Sequence, residues 1–234
     1  MNTQKLKKYF GAVSAPKKPM VSIVVPIYNM MPHLDQYLQC CLNFRTLLPY
    51  ELIFVDNNST DGGREYLEKF GARVELESRQ GVNYARQHGL DVAIADVILT
   101  MDADTVYYSS YIDTMVLELY ANADVSLVWA TSIGCSDPSR PTMSEKLKLQ
   151  IKTLVHFVQT NKIAQAKSVR ALSMCFMKNT NVYYPVEINN LSGCDDGTIA
   201  AQLMRKGKLK RVNKGVYTER GQMKRILSGS WPQI

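Results

Sequence analysis

The sequence predicts an α/β fold, a mostly parallel sheet with helices on both faces. Three observations predict it. Short β-branched runs alternate with helical patterns of about 10 to 15 residues, the rhythm of βαβ units. The runs are apolar throughout, as strands buried on both faces are. Polar clusters follow several of them directly, where open parallel sheets bind ligands.

Taken in order, residues 1–19 are basic and punctuated by Pro16 and Pro19. They read as an N-terminal tail with a short helix at Lys5 to Phe10. Val21-Ser-Ile-Val-Val25 reads as the first strand, closed by Pro26, and His33 to Phe44 as a helix with Leu34, Tyr37, Leu38, Cys41 and Leu42 on one face. Glu51 to Asp56 is the second strand, followed by a polar loop and a helix beginning near Ser59 and running to Phe70, with Ser59 or Asp61 as its cap. Arg73 to Glu77 is a weak strand, Val82 to Ala95 a helix, Asp96 to Met101 a strand, Ser110 to Ala121 a helix and Val125 to Ala130 a strand. Beyond it, Ser144 to Gln165 suits a long amphipathic helix, Leu172 to Met177 a strand, Asp196 to Arg205 a helix and Leu209 to Tyr217 one short strand.

The chain has 234 residues, 46% hydrophobic and 21% charged, enough for one large globular domain and inconsistent with disorder throughout. No apolar run approaches the ~18 residues of a membrane span, and the N-terminus lacks a signal-peptide core, so a cytoplasmic protein is expected. Five cysteines without a CxxC spacing argue for reduced, mostly buried thiols. His33, His88 and His156 have no second ligand at helical spacing and read as surface or core residues. Net charge is +7, and Arg205 to Arg225 holds nine basic residues against one acid. A cluster so local asks for a local anionic partner.

Three acidic clusters can do chemistry. Asp102-Ala-Asp104 ends a buried strand, and two carboxylates there offer hard oxygens to Mg2+ or Mn2+. Asp56 ends another strand, where a carboxylate can accept the N3–H of uracil. Cys194-Asp195-Asp196-Gly197 leads into a helix and can supply a proton acceptor.

With their flanks, these residues resemble the family 2 glycosyltransferases of the GT-A fold, from about Val21 to Arg225. Val21-Ser-Ile-Val-Val-Pro-Ile-Tyr-Asn29 is similar to the family's opening strand and P-x-Y-N turn, and Val55-Asp-Asn-Asn-Ser-Thr-Asp61 to its V-D-x-x-S-x-D loop. Gly81-Val-Asn-Tyr-Ala-Arg-Gln87 is similar to its G-x-x-x-A-R-N helix start, with Gln87 in place of the Asn, and Leu99-Thr-Met-Asp-Ala-Asp104 to its metal motif. Asp195-Asp196 stands where the family has Glu-Asp, and Val216-Tyr-Thr-Glu-Arg220 resembles a late segment carrying an arginine. Each motif alone is permissive; six in order are specific.

The resemblance implies a single GT-A domain over residues 20–226, its nucleotide-sugar half at 20–130 and its acceptor half at 131–226, with a C-terminal tail at 227–234. It implies an inverting, metal-dependent transfer from a nucleotide diphosphate sugar, UDP-sugar foremost, in polysaccharide or glycolipid synthesis. Pro26, Tyr28, Asn29 and Asp56 would bind the base and ribose, Asp102 the ribose and metal, and Asp104 the Mn2+ or Mg2+. Arg86 would line the pocket and Arg220 neutralise the diphosphate. Asp196 would be the general base, with Asp195 the alternative. The implied partners are the donor, a saccharide or lipid-linked saccharide acceptor and peripheral contact with the anionic inner face of a membrane, with no nucleic acid. Gln222-Met-Lys-Arg225-Ile226 lacks the Trp of processive synthases, which favours one sugar per encounter. A sugar nucleotidyltransferase is the rival among enzymes, but the loop after the first strand, Pro26 to Met31, has no glycine to cradle a triphosphate. The rival from another class is a binding module built on the basic segment.

Overall fold

The computed structural model describes residues 2–158, 173–184 and 195–219, the side chains of 153–158, 195–196 and 219 excepted. Seven strands form the main sheet. In chain order they are β1 (Val21–Ile27), β2 (Tyr50–Asp56), β3 (Arg73–Leu76), β4 (Val97–Thr100), β6 (Val125–Trp129), β8 (Met174–Met177) and β9 (Lys208–Arg211). They lie in the order β3-β2-β1-β4-β8-β6-β9. All pairs are parallel except β4–β8 and β8–β6, so only β8 runs against the rest.

The apolar runs are continuous because both faces are covered. On one face Val21, Ile23 and Val25 of β1 pack with α1 (Thr3–Val13), α2 (Met31–Leu42), α3 (Gly63–Glu68) and α5 (Tyr111–Tyr120). On the other, Val24, Ile53, Val55 and Ile98 pack with α4 (Val82–Val92) and α7 (Asp195–Met204). Alternate residues of a strand point to opposite faces, which is why Val24 leaves the core that Ile23 and Val25 enter. Pro26 sits within central β1, yet β4 pairs with β1 only as far as Val24↔Thr100, so its missing N–H breaks no bond on that side.

Residues 3–13 are not a loose tail. Leu6, Phe10 and Val13, spaced four and three apart, form the buried stripe of α1, and the Phe10 ring meets Phe54 edge-on at 6.2 Å. Asn2 caps the helix by accepting the Lys5 N–H. The basic character of the segment sits on its exposed face and masked this stripe.

The stretch Leu209 to Tyr217 is not one strand either. β9 ends at Arg211, the chain turns at Gly215, where a Cβ would lie 2.6 Å from the Thr131 carbonyl, and β10 (Val216–Glu219) joins a different sheet. That second sheet has the order β5-β10-β7, with β5 at Thr105–Val106 and β7 at Ser132–Cys135. The long helix expected from Ser144 is α6 (Met143–Val158), and its expected continuation lies outside the described residues. Cys40, Cys41, Cys135 and Cys175 are buried free thiols, as composition suggested. Among the described residues, no helix is long and apolar enough to cross a membrane.

Candidate active site

The carboxyl ends of β1, β2 and β4 are adjacent in the sheet, so the polar clusters that follow them converge. Asp56 is the last residue of β2 and is 2% exposed; its carboxylate accepts the Ser59 N–H at 3.2 Å. Asn29 adopts a left-handed φ of 51°, which Asn tolerates better than most residues. Its side-chain oxygen accepts the Thr60 N–H at 2.9 Å, while its own N–H donates to Ser59 Oγ at 3.0 Å. Asp61 accepts from Gly63 N at 2.9 Å and from Met31 N at 2.7 Å, so one carboxylate caps both α3 and α2. These bonds lock the β1 and β2 loops together beneath Pro26 and Tyr28.

Asn57 extends the frame. Its side chain donates to the carbonyls of Glu77 and Arg79 and accepts from Gly81 N, tying the β2 loop to the start of α4. Beside it the Glu77 carboxyl is held down to about 2, chiefly by the hydrogen bonds that Arg79 donates.

Arg86, on α4 and only 6% exposed, donates to Asp102 Oδ1 at 3.1 Å. Helix α4 approaches the sheet closely at Gly89, where a Cβ would lie 2.2 Å from Val24 Cγ1. That approach lets Arg86 reach the end of β4. Burial raises the Asp102 carboxyl, and the Arg86 charge opposes the rise. Asp104 is 7% exposed; burial, then the charge of Asp102, pushes it up to about 7. The Thr105 hydroxyl donates to it at 3.1 Å, and Thr218 of β10 hydrogen-bonds it from the second sheet.

Asp104 is buried and Asp102 beside it half-buried; among the described residues a single arginine, on Asp102, balances the two carboxylates, which leaves them short of positive charge. The donor set is all hard oxygen, which fits Mg2+ or Mn2+. Among the described residues, no group of three or more acidic, His or Cys side chains surrounds a cation position, so the protein would supply two carboxylates and leave other positions to substrate oxygens.

Reading the sequence missed what holds this pair. The Asp102 N–H donates to the Tyr107 hydroxyl at 2.8 Å, and the Tyr107 ring is buried between Tyr37 and Tyr111. The Tyr107 backbone is clamped in turn by Cys40 of α2, whose thiol donates to the Tyr107 carbonyl at 3.1 Å and accepts its N–H at 3.2 Å. Burial pushes that thiol up to about 11, so it keeps the proton it donates. Thr218 was missed because β10 was merged with β9. Its only sequence signal was the Val-x-Thr of the late segment.

Asp195 and Asp196 open α7, as their position before a helix suggested; only their backbone is described. Arg220 lies outside the described residues. In the basic run, Lys208 pairs with Asp124 and Lys210 with Glu118, Lys206 donates to the Thr180 carbonyl, and Lys214 lies 3.9 Å from the Tyr108 ring centroid. Much of the charge expected to face an anionic surface is thus engaged within the fold.

The family model for glycosyl transferase family 2 matches residues 22–180, about two thirds of the chain. The chain belongs to glycosyl transferase family 2. An uncharacterized glycosyltransferase of Haemophilus influenzae is 36% identical over 92 residues, which is 37% of this chain and 36% of that protein. The match thus spans about a third of that relative's length. The fold recurs in S. aureus TarS 1-349, with a TM-score of 0.65 at 15% identity, over 85% of this chain and 60% of that one. It recurs also in glucosyl-3-phosphoglycerate synthase of Mycobacterium tuberculosis, with a TM-score of 0.59 at 14% identity, over 97% and 80%. In this family 2 chain the GT-A architecture expected from the sequence is the one observed.

Proposed function

We propose that the chain transfers one sugar from a nucleoside diphosphate sugar, a UDP-sugar foremost, to an acceptor hydroxyl with inversion. The observation that carries this is the Asp102–Asp104 pair after β4, Asp104 buried and Asp102 half-buried, locked by Arg86 and Tyr107 and short of positive charge among the described residues. Two of the structures sharing its fold support the donor class: TarS was solved with UDP-GlcNAc and the M. tuberculosis synthase with UDP and Mn2+.

In this reading residues 20–130 bind the donor and residues 131–226 the acceptor, a saccharide or lipid-linked saccharide. Asp56 accepts the base N3–H, in a loop already rigid through Asn29, Asn57 and Asp61, so little entropy is lost on binding. Asp102 contacts the ribose, and Arg86 orients it and favours its charged form against burial. Asp104 and Asp102 would hold Mn2+ or Mg2+, an ion that neutralises charge on a departing diphosphate. Arg220 adds a second cation for the same charge. Asp196 takes the acceptor proton as the hydroxyl oxygen attacks the anomeric carbon from the face opposite the diphosphate.

The test is release of UDP from a panel of UDP-sugars with Mn2+ and candidate acceptors. Asp196→Asn is expected to bind UDP normally and to lose at least ~10²-fold in turnover, since an amide cannot take the proton. If Asp195→Asn is the dead variant and Asp196→Asn turns over normally, the base is the neighbouring acid.

A further inference from the structure

One buried cation among the described residues has no partner. Arg211, the last residue of β9, is 7% exposed, and neither Nε nor Nη1 meets a hydrogen-bond acceptor. Its basic neighbours along the strand do have acids, Lys208 with Asp124 and Lys210 with Glu118. A buried guanidinium without a counter-charge is costly and is retained where an anion completes it.

The register fixes where that anion would sit. Arg211 pairs with Trp129 in the parallel β6–β9 ladder, at the carboxyl end of both strands. Leu127 and Leu209, two residues earlier in each strand, pack in the same core as Ile199, Ala200 and Leu203 of α7. Strand alternation therefore places Arg211 on the face that α7 covers. Helix α7 runs back along the sheet, because the Leu203 carbonyl near its end accepts from Ser126 Oγ near the start of β6. From there the first turn of α7 lies roughly 12 Å away at 1.5 Å per residue, and Trp129 roughly 10 Å at 3.3 Å per residue. The start of α7 is thus level with Arg211.

We infer that Arg211 forms a second anion site, which binds a phosphate or carboxylate group carried by the acceptor. Only the word acceptor rests on the glycosyl-transfer reading; the anion site rests on Arg211. The leaving diphosphate does not fit, since β9 lies three strands from β4, roughly 14 Å at the usual strand spacing. A sugar-sized group fits between them. An acceptor anchored at Arg211 by its anionic end would carry its hydroxyl toward the start of α7, where Asp195 and Asp196 are. Burial lowers the pKa of Arg211, and among the described side chains no acid opposes it.

Thermal unfolding of the full chain in inorganic phosphate, without metal, against chloride at matched ionic strength tests the site. Phosphate is expected to raise the Tm of the wild type and of Asp104→Ala, and to leave Arg211→Gln unshifted. An equal shift in Arg211→Gln, no shift in the wild type, or loss of the shift in Asp104→Ala would each overturn the proposal; the last would place the phosphate in the donor site. In phosphate-free buffer Arg211→Gln and Arg211→Met are expected to melt at or above the wild-type temperature, because each removes an uncompensated buried charge. A clear fall in both would reveal an internal partner and overturn the site. Failure of the glycosyl-transfer reading appears elsewhere, as no response of the wild type to UDP and Mn2+.

Discussion

At the scale of single residues, the candidate site depends on groups that touch no substrate. Tyr107 is the clearest. Its hydroxyl takes the Asp102 N–H, and an N–H left without an acceptor costs about 1–3 kcal/mol. Tyr107→Phe should keep the ring packing against Tyr37 and Tyr111, lower Tm little, and weaken UDP binding in Mn2+ about tenfold, close to 1.4 kcal/mol. Unchanged UDP affinity by calorimetry would show that the loop holds Asp102 without the hydroxyl. Glu77 acts on the other side of the site and has a pH signature. Its pKa is lowered in the fold to about 2, chiefly by Arg79. A depressed carboxyl stabilises the fold above its unfolded pKa, and that contribution fades as pH falls from about 5 toward 2. Glu77→Gln should therefore lose less Tm than the wild type across that window. Because Arg79 is largely exposed, the difference should shrink in high salt. Equal acid sensitivity of the two proteins would remove Glu77 from the account.

At the scale of elements, close contact sets position. Helix α4 carries Arg86 to Asp102 because Gly89 lets the helix lie against Val24 and Val55. Gly89→Ala raises intrinsic helix propensity by about 1 kcal/mol, so an open position would gain stability. Here the added methyl meets Val24 at a distance real side chains do not tolerate, and overpacking of this kind costs about 1–3 kcal/mol. The expected outcome is a lower Tm together with weaker UDP binding, since α4 and Arg86 shift as a unit. A rise in Tm would contradict the close packing. Helix α1 teaches the converse lesson about composition. Its Leu6, Phe10 and Val13 carried a readable spacing, but the basic residues and prolines around them suggested a tail.

At the scale of the molecule, the main sheet was legible because parallel strands buried on both faces are written as unbroken β-branched runs. β1, β2 and β4 are all of that kind, and the polar residues after them mark the ligand end of the sheet. The second sheet was not legible. β5 is two residues long and follows Asp102-Ala-Asp104 without a break, β7 is four, and β10 pairs with residues far away in the chain. Strands so short are defined by their partners rather than by local sequence. The cost of missing them was Thr218, which reaches Asp104 only because β10 lies beside β5. Likewise Asp102 and Asp104 were readable from spacing, while the Cys40–Tyr107 clamp joins residues 67 apart and has no local signal.

The central claim is that Asp104 and Asp102 form the metal-dependent seat of a nucleoside diphosphate. Thermal unfolding with UDP, with and without Mn2+, tests it most directly. UDP at ~100 times its Kd adds about 2.7 kcal/mol, or roughly 5–10 °C for a domain of this size. The account predicts that shift in the wild type only when Mn2+ is present, and its loss in Asp104→Ala. A full Mn2+-dependent shift in Asp104→Ala, or none in the wild type, would contradict it.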